Sequence, residues 1–199
     1  MADDDLHLHE KYVYPVLIDF DALAHSCAPN VAPATLRAMA TVESSHNPHA
    51  IGVVNGRLAR QPRNLPEAIS TVMALQQQGT RFSAGLIQIY VKNWPAYQLD
   101  HESVFDPCSN MRAAAGILTD CYKRASRRAD ASQVALRNAL SCYYSNNFVT
   151  GYQHSYVQKV VAAALAATRP APSLSTKEAA PEKSISMQPL ETPPNRAQP

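Results

Sequence analysis

Glu43 is the residue with the most to offer chemically. It lies in Thr41-Val42-Glu43-Ser44-Ser45-His46-Asn47-Pro48, at the end of a segment with helical apolar spacing. A carboxylate in the last turn of a helix faces the negative end of the dipole. That field raises its pKa, and an apolar surround raises it further. A carboxyl that holds its proton near neutrality is a general acid for breaking a glycosidic bond. Taken alone, the same segment also fits a solvated surface glutamate. Gly85-Leu86-Ile87-Gln88-Ile89 follows further along the chain. Gly85 permits close backbone approach, and Gln88 offers both a donor and an acceptor to a ligand or to a neighbouring loop. Ser141-Cys142-Tyr143-Tyr144-Ser145-Asn146 adds two tyrosines, which suit hydrogen bonding in a site or ordinary helix packing.

A second carboxylate is the usual companion of such an acid. Asp100, Glu102 and Asp106 follow the Gly-Leu-x-Gln segment, but their spacing gives no case for pairing with Glu43. His7 with His9 and His46 with His49 each lack a third ligand at metal spacing, so polar surface is expected at both and no metal site is assigned. No phosphate-binding loop, serine nucleophile elbow or heptad run is present.

The elements that must position these residues read as mostly helical. Ala runs favour helix, and 6 Gly are few for an all-β chain. Asp19 caps a short helix through Phe20, Leu23 and Ala24 that ends before Pro29. Pro33 opens the helix carrying Leu36, Met39, Ala40 and Glu43, which stops before Pro48. Residues 51–64 read as irregular, and Leu65-Pro66-Glu67 opens a helix closed by Gly79. The run 82–91 reads as extended. Ser109 or Asn110 caps a helix to about Ala125; others run from about Ser132 to Tyr144 and from about Tyr152 to Ala167. The expected organisation is a flexible arm over residues 1–15, one domain over 16–168, and a disordered tail over 169–199 that holds seven of the 15 prolines.

Four cysteines, Cys27, Cys108, Cys121 and Cys142, form no CxxC pair. They allow two disulfides in any of three connectivities, or buried free thiols. The net charge is +2 and the pI about 8.4, too weakly basic to imply nucleic acid. The densest basic stretch, Lys123 to Arg128, sits where a helix C-terminus favours cations. No apolar run reaches the roughly 18 residues that a membrane span needs. Met1 to Glu10 lacks the pattern of a signal peptide.

Three motifs in order carry a family resemblance. Thr41-Val42-Glu43-Ser44 resembles the Glu-Ser motif of lytic transglycosylases of the lysozyme-like SLT family. Gly85-Leu86-Ile87-Gln88-Ile89 is similar to their Gly-Leu-Met-Gln-Ile motif, and Ser141 to Asn146 to their Ala-Tyr-Asn-Ala-Gly motif. The likeness is greatest to the Vir-type transglycosylases of type IV secretion systems. Ala50-Ile51-Gly52-Val53-Val54, Arg57 to Leu65, Phe105-Asp106-Pro107-Cys108 and Cys142-Tyr143-Tyr144-Ser145 carry it, and it covers about residues 18 to 165.

The resemblance implies a lysozyme-like domain that cleaves the peptidoglycan glycan strand with Glu43 as its sole acid/base and no cofactor. Ser44, Gly85, Leu86, Gln88, Tyr143 and Tyr144 would form the substrate site: Ser44 and Gln88 holding sugar or N-acetyl groups, Tyr143 hydrogen-bonding near Glu43, and residues 85–89 laying extended backbone along the glycan. Secretion-system components are implied as partners, with the tail as a docking segment. The substrate implies the periplasm. Ile87 stands for the usual Met, Tyr90 for an Asn, and Tyr144 and Asn146 for the Asn and Gly of the third motif. Two other functions fit the same pattern: a non-catalytic glycan-binding or assembly module, and a lysozyme-type hydrolase.

Overall fold

The computed structural model describes residues 19–128 and 131–168. The expected arm (1–15), its His7 and His9, and the tail (169–199) lie outside the described residues. The domain is mostly helical, with one small sheet. In chain order it runs α1 (Phe20–Cys27), α2 (Pro33–Ser44), β1 (Ile51–Val53), α3 (Leu65–Gln77), β2 (Phe82–Ala84), β3 (Ile89–Tyr90), three short 3-10 turns, α4 (Pro107–Ser126), α5 (Ser132–Ser145), α6 (Thr150–Gln153) and α7 (Tyr156–Ala167).

Local chemistry explains most of the boundaries. The Asp19 side chain accepts from Asp21 N–H at 3.0 Å and caps α1 as expected. Asn64 accepts from Glu67 N–H at 3.0 Å and starts α3, with Pro66 in its first turn. α4 begins earlier than expected. Asp106, not Ser109 or Asn110, is its cap: its carboxylate accepts from Ser109 N–H at 2.8 Å, and Pro107 takes the first helical position. The helix expected over 152–167 is two helices. Ser155 adopts φ 59°, a left-handed conformation that ends α6 and restarts the chain at Tyr156.

The sheet is antiparallel in the order β1-β2-β3. Ile51 pairs with Ala84 and Val53 with Phe82, so the segment expected to be irregular begins with a strand. Gln61 completes the outer edge of β1. Its amide accepts from Ile51 N–H at 2.8 Å and donates to Ile51 C=O at 2.9 Å, standing in for a further strand. The extended run over 82–91 is present but folds back on itself: Ala84 pairs with Ile89 across a turn at 85–88.

The core joins helices and sheet. Leu36 and Met39 of α2, Val72 of α3, Phe82, Ile87 and Ile89 of the hairpin, Val104 and Met111 are fully buried. Trp94 packs edge-on against Phe82 and donates to Ile89 C=O at 3.1 Å. α2 packs on α7 and α4 on α5. Alanines at the buried faces of α4 and α5, including Ala113, Ala114 and Ala139, let the backbones approach closely.

Both disulfides span helices. Cys27–Cys108 ties the end of α1 to the start of α4, and Cys121–Cys142 ties α4 to α5. Their sequence separations of 81 and 21 constrain the unfolded chain by about 4 and about 3 kcal/mol in the loop-entropy account. Among the described residues no helix is long and apolar enough to cross a membrane.

Candidate active site

Glu43 continues the buried stripe of α2. Leu36, Met39 and Ala40 precede it at helical spacing, so its side chain is directed along the core-facing side rather than outward. The helix then stops within two residues. Ser45 and His46 take φ 53° and 64°, and His46 N–H bonds back to Ala40 C=O at 3.2 Å. Glu43 is half-buried as a residue, but its carboxyl is closely surrounded by protein. Desolvation raises its pKa from 4.5 to about 7, against an opposing hydrogen bond from Tyr156. No neighbouring carboxylate contributes to the shift.

Tyr156, at the first position of α7, donates from its hydroxyl to Glu43 Oε1 at 2.7 Å. Burial and the nearby Glu43 charge push its own pKa well above 10, so it remains a donor at working pH. From the sequence Tyr156 is only one residue of the helix expected from about Tyr152 to Ala167. No local pattern points to its partner, because α2 and α7 meet only in the folded chain.

The other expected residues converge on the turn at 85–88 rather than on the carboxyl. Ser44 donates to Leu86 C=O at 2.7 Å. Tyr143 donates to Ile87 C=O at 2.6 Å, while desolvation, then the Glu43 charge, holds its pKa well above 10. Two hydroxyls thus grip consecutive carbonyls. Asn110 holds the same turn from behind. It is fully buried, accepts from Ile87 N–H at 2.7 Å, and donates to Val104 C=O at 2.8 Å and Ala84 C=O at 3.1 Å. Asn110 entered the sequence reading only as a possible helix cap.

Gly85 must be glycine here. Its φ is +86°, and a Cβ would lie 2.1 Å from Asn110 Nδ2 and 2.3 Å from Val104 O. The backbone of 85–88 is therefore a clamped turn and not the extended rail expected along a glycan. Leu86 is buried beneath it. Gln88 spends both amide protons inside the chain, on Ala50 C=O and Gly85 C=O at 2.9 Å each. Its oxygen faces Gly52, where a Cβ would approach to 2.8 Å.

Tyr144 is exposed and stacks on Tyr156 with ring centroids 4.9 Å apart, and its hydroxyl lies 3.1 Å from His154 Nδ1. Asn146 caps α5 in the left-handed conformation, φ 59°, and accepts from Arg124 at 2.9 Å. The carboxylates considered as partners for Glu43 have other work. Asp100 accepts from Glu102 and Ser103, and Asp106 caps α4. With His49 they line a cavity of about 560 Å³ to which Glu43 does not contribute. His46 bonds Thr41 at 2.9 Å, and burial followed by the Arg37 charge lowers its pKa.

The constellation is thus one protonatable carboxyl, one permanent donor on it, and a rigid turn beside it. Comparison with known proteins shows what the chain as a whole is similar to. The transglycosylase SLT domain profile matches residues 22–153. The chain is similar to the type IV secretion system protein virB1 of Brucella abortus strain 2308, with 48% identity over 160 residues that cover 77% of this chain and 67% of that protein. The Brucella suis protein of the same name matches to the same extent. Protein virB1 of Agrobacterium fabrum is 34% identical over 146 residues, which is 73% of this chain and 59% of that protein. No solved structure matches.

Proposed function

The chain belongs to the transglycosylase SLT family, and on that premise we propose that it cleaves the β-1,4 bond between N-acetylmuramic acid and N-acetylglucosamine in peptidoglycan, leaving a 1,6-anhydro end. The observation that carries this reading is the Glu43 carboxyl, desolvated to a pKa of about 7 and held by Tyr156. At neutral pH a substantial fraction of Glu43 is protonated. Because Tyr156 donates to Oε1, the acid proton resides on Oε2, the oxygen left for substrate.

The reaction needs this one group twice. Glu43 gives its proton to the glycosidic oxygen as the bond to the muramic acid C1 breaks. The carboxylate that remains is stabilised by the Tyr156 hydroxyl. It then takes the proton of the C6 hydroxyl as that oxygen bonds to C1. The ring closes, Glu43 is protonated again, and no water is consumed. A single carboxylate suffices where the substrate's own acetamido or hydroxyl group replaces a second one.

The surroundings suit a sugar. The Tyr144 ring offers an exposed face beside Tyr156. Gln88 braces the turn beside the site through its two amide protons. Ser44 and Tyr143 act through the turn they hold. The two disulfides fit an oxidising compartment outside the cytoplasm. Likeness to virB1 proteins supports a role in opening the wall for a type IV secretion machine.

The test is mass spectrometry of muropeptides released from purified sacculi by the protein and by Glu43→Gln. Anhydro-muropeptides from the unmodified protein alone are expected. Reducing-end products would assign a lysozyme-type hydrolase instead, and release by the Glu43→Gln variant would remove Glu43 from the mechanism.

A further inference from the structure

A groove of about 450 Å³ lies where the end of α4 meets the loop after α5, lined by Arg124, Arg127, Arg128, Asn146, Phe148 and Val149. Three features make it more than a solvated basic surface. First, three arginines converge on this one groove at the end of α4. Second, two of them are held in place. Arg124 bonds the Asn146 side chain at 2.9 Å and its carbonyl at 3.4 Å. Arg124 and Arg128 both lie over the Phe148 ring, at 5.7 and 5.6 Å from its centroid. Third, Val149 leaves apolar surface exposed beside the charges. Cations fixed before binding lose little entropy when a ligand arrives, and a guanidinium pairs with a carboxylate through two parallel bonds.

We propose that this groove binds the carboxylate-bearing peptide branches of the wall polymer, so that the enzyme reads peptide as well as sugar. The proposal rests on the peptidoglycan reading given above. Its geometric basis is α5. The helix carries Tyr143 and Tyr144 in its last turn, and its cap residue Asn146 is itself part of the groove. Contacts link the two places: Glu43 bonds Tyr156, Tyr156 stacks on Tyr144, and Asn146 of the groove follows Tyr144 by two residues. The peptide branch combines carboxylates with methyl side chains, matching guanidinium beside Phe148 and Val149. A cleft of this volume suits a ligand of a few residues, whereas a stable protein partner covers a far wider face. That favours the branch over an acidic segment of another protein.

The test uses Arg127→Glu/Arg128→Glu in the full chain, which spares Arg124 and with it the cap of α5. kcat/KM is measured on peptide-bearing glycan strands and on strands stripped of peptide by an amidase. A loss of about ten-fold or more on the first substrate, with no change on the second, is expected for losing two charge-assisted contacts. Equal losses on both substrates, or none on either, overturn the proposal. Titration with an isolated wall tetrapeptide separates the groove from the chemistry. Glu43→Gln should bind it as the unmodified protein does, and the double arginine variant should bind at least ten-fold more weakly. If the unmodified protein cleaves nothing yet shows this binding pattern, the reaction assignment fails and the groove stands. If an acidic peptide unrelated to the wall binds as tightly as the tetrapeptide, the groove serves a protein segment and the proposal is wrong.

Discussion

Tyr156 donates a 2.7 Å hydrogen bond to Glu43 across 113 residues of sequence, joining the first position of α7 to the last turn of α2. The bond opposes the desolvation that raises the Glu43 pKa to about 7. Burial and Tyr156 therefore pull the carboxyl in opposite directions, and burial wins. Without the tyrosine the carboxyl would titrate higher still.

That balance predicts the behaviour of Tyr156→Phe. The acid form of Glu43 becomes easier to hold, and the carboxylate formed after proton transfer becomes costlier. kcat should fall roughly ten-fold for one lost charge-assisted donor. The alkaline limb of the pH–rate profile, expected near pH 7 for the unmodified protein, should move upward. A lower rate with an unmoved limb would mean that Tyr156 only packs against the site.

Glu43 should also carry a stability signature. Its folded pKa is about 7 against 4.5 for the free group, so the folded state binds the extra proton between those values. Its favourable contribution is complete below pH 4.5 and is lost as pH rises through about 7. Glu43→Gln removes that loss. The variant should be more stable than the unmodified protein at about pH 8, by at most about 3 kcal/mol, and indistinguishable at about pH 4. Denaturant unfolding at the two values checks this, and equal stabilities at about pH 8 would mean that the carboxyl is not desolvated in the fold.

The clamped turn predicts that activity can be lost without touching the carboxyl. Asn110→Ala leaves the buried Ile87 N–H and Val104 C=O without partners and should cost about 2–4 kcal/mol. Gly85→Ala forces a Cβ against Asn110 and the Val104 carbonyl at a φ of +86°, with a similar cost. Both should lower kcat at temperatures where the chain is still folded, because the turn beside Glu43 shifts. Full activity in a folded Asn110→Ala protein would show that the turn does not position the site.

The helix that carries Glu43 was legible from the spacing of Leu36 and Met39 and from its stop before Pro48, but Glu43 itself stood out only through the order of the three motifs, since the helix alone fits a surface glutamate equally. Gly85 was legible as a backbone position, but its turn was not. An apolar run of that length looks extended until Asn110, from another element, hydrogen-bonds into its middle. The break at Ser155 left no trace either, since no proline or glycine stands there to impose it. Tyr156 was unreadable for the same reason as the cysteine pairing: both depend on which helices meet. Spacing left three pairings open, and the packing of α1 on α4 and of α4 on α5 selects one.

The two disulfides should therefore be separable by what they support. Cys121–Cys142 anchors the helix that carries Tyr143, one residue beyond Cys142, so its loss should loosen the grip on Ile87. Cys27–Cys108 anchors α1, which contributes no residue to the Glu43 site, although it closes the longer loop. Replacing both cysteines of a pair by alanine should cost about 3 kcal/mol for the first bridge and about 4 kcal/mol for the second. The order should reverse for activity measured well below the melting temperature. The Cys121/Cys142 variant should lose kcat several-fold, and the Cys27/Cys108 variant should keep it. Thermal unfolding alongside rates on sacculi tests the pair together. If activity tracked melting temperature in both, the bridges would serve stability alone, and α5 would hold Tyr143 in place without help.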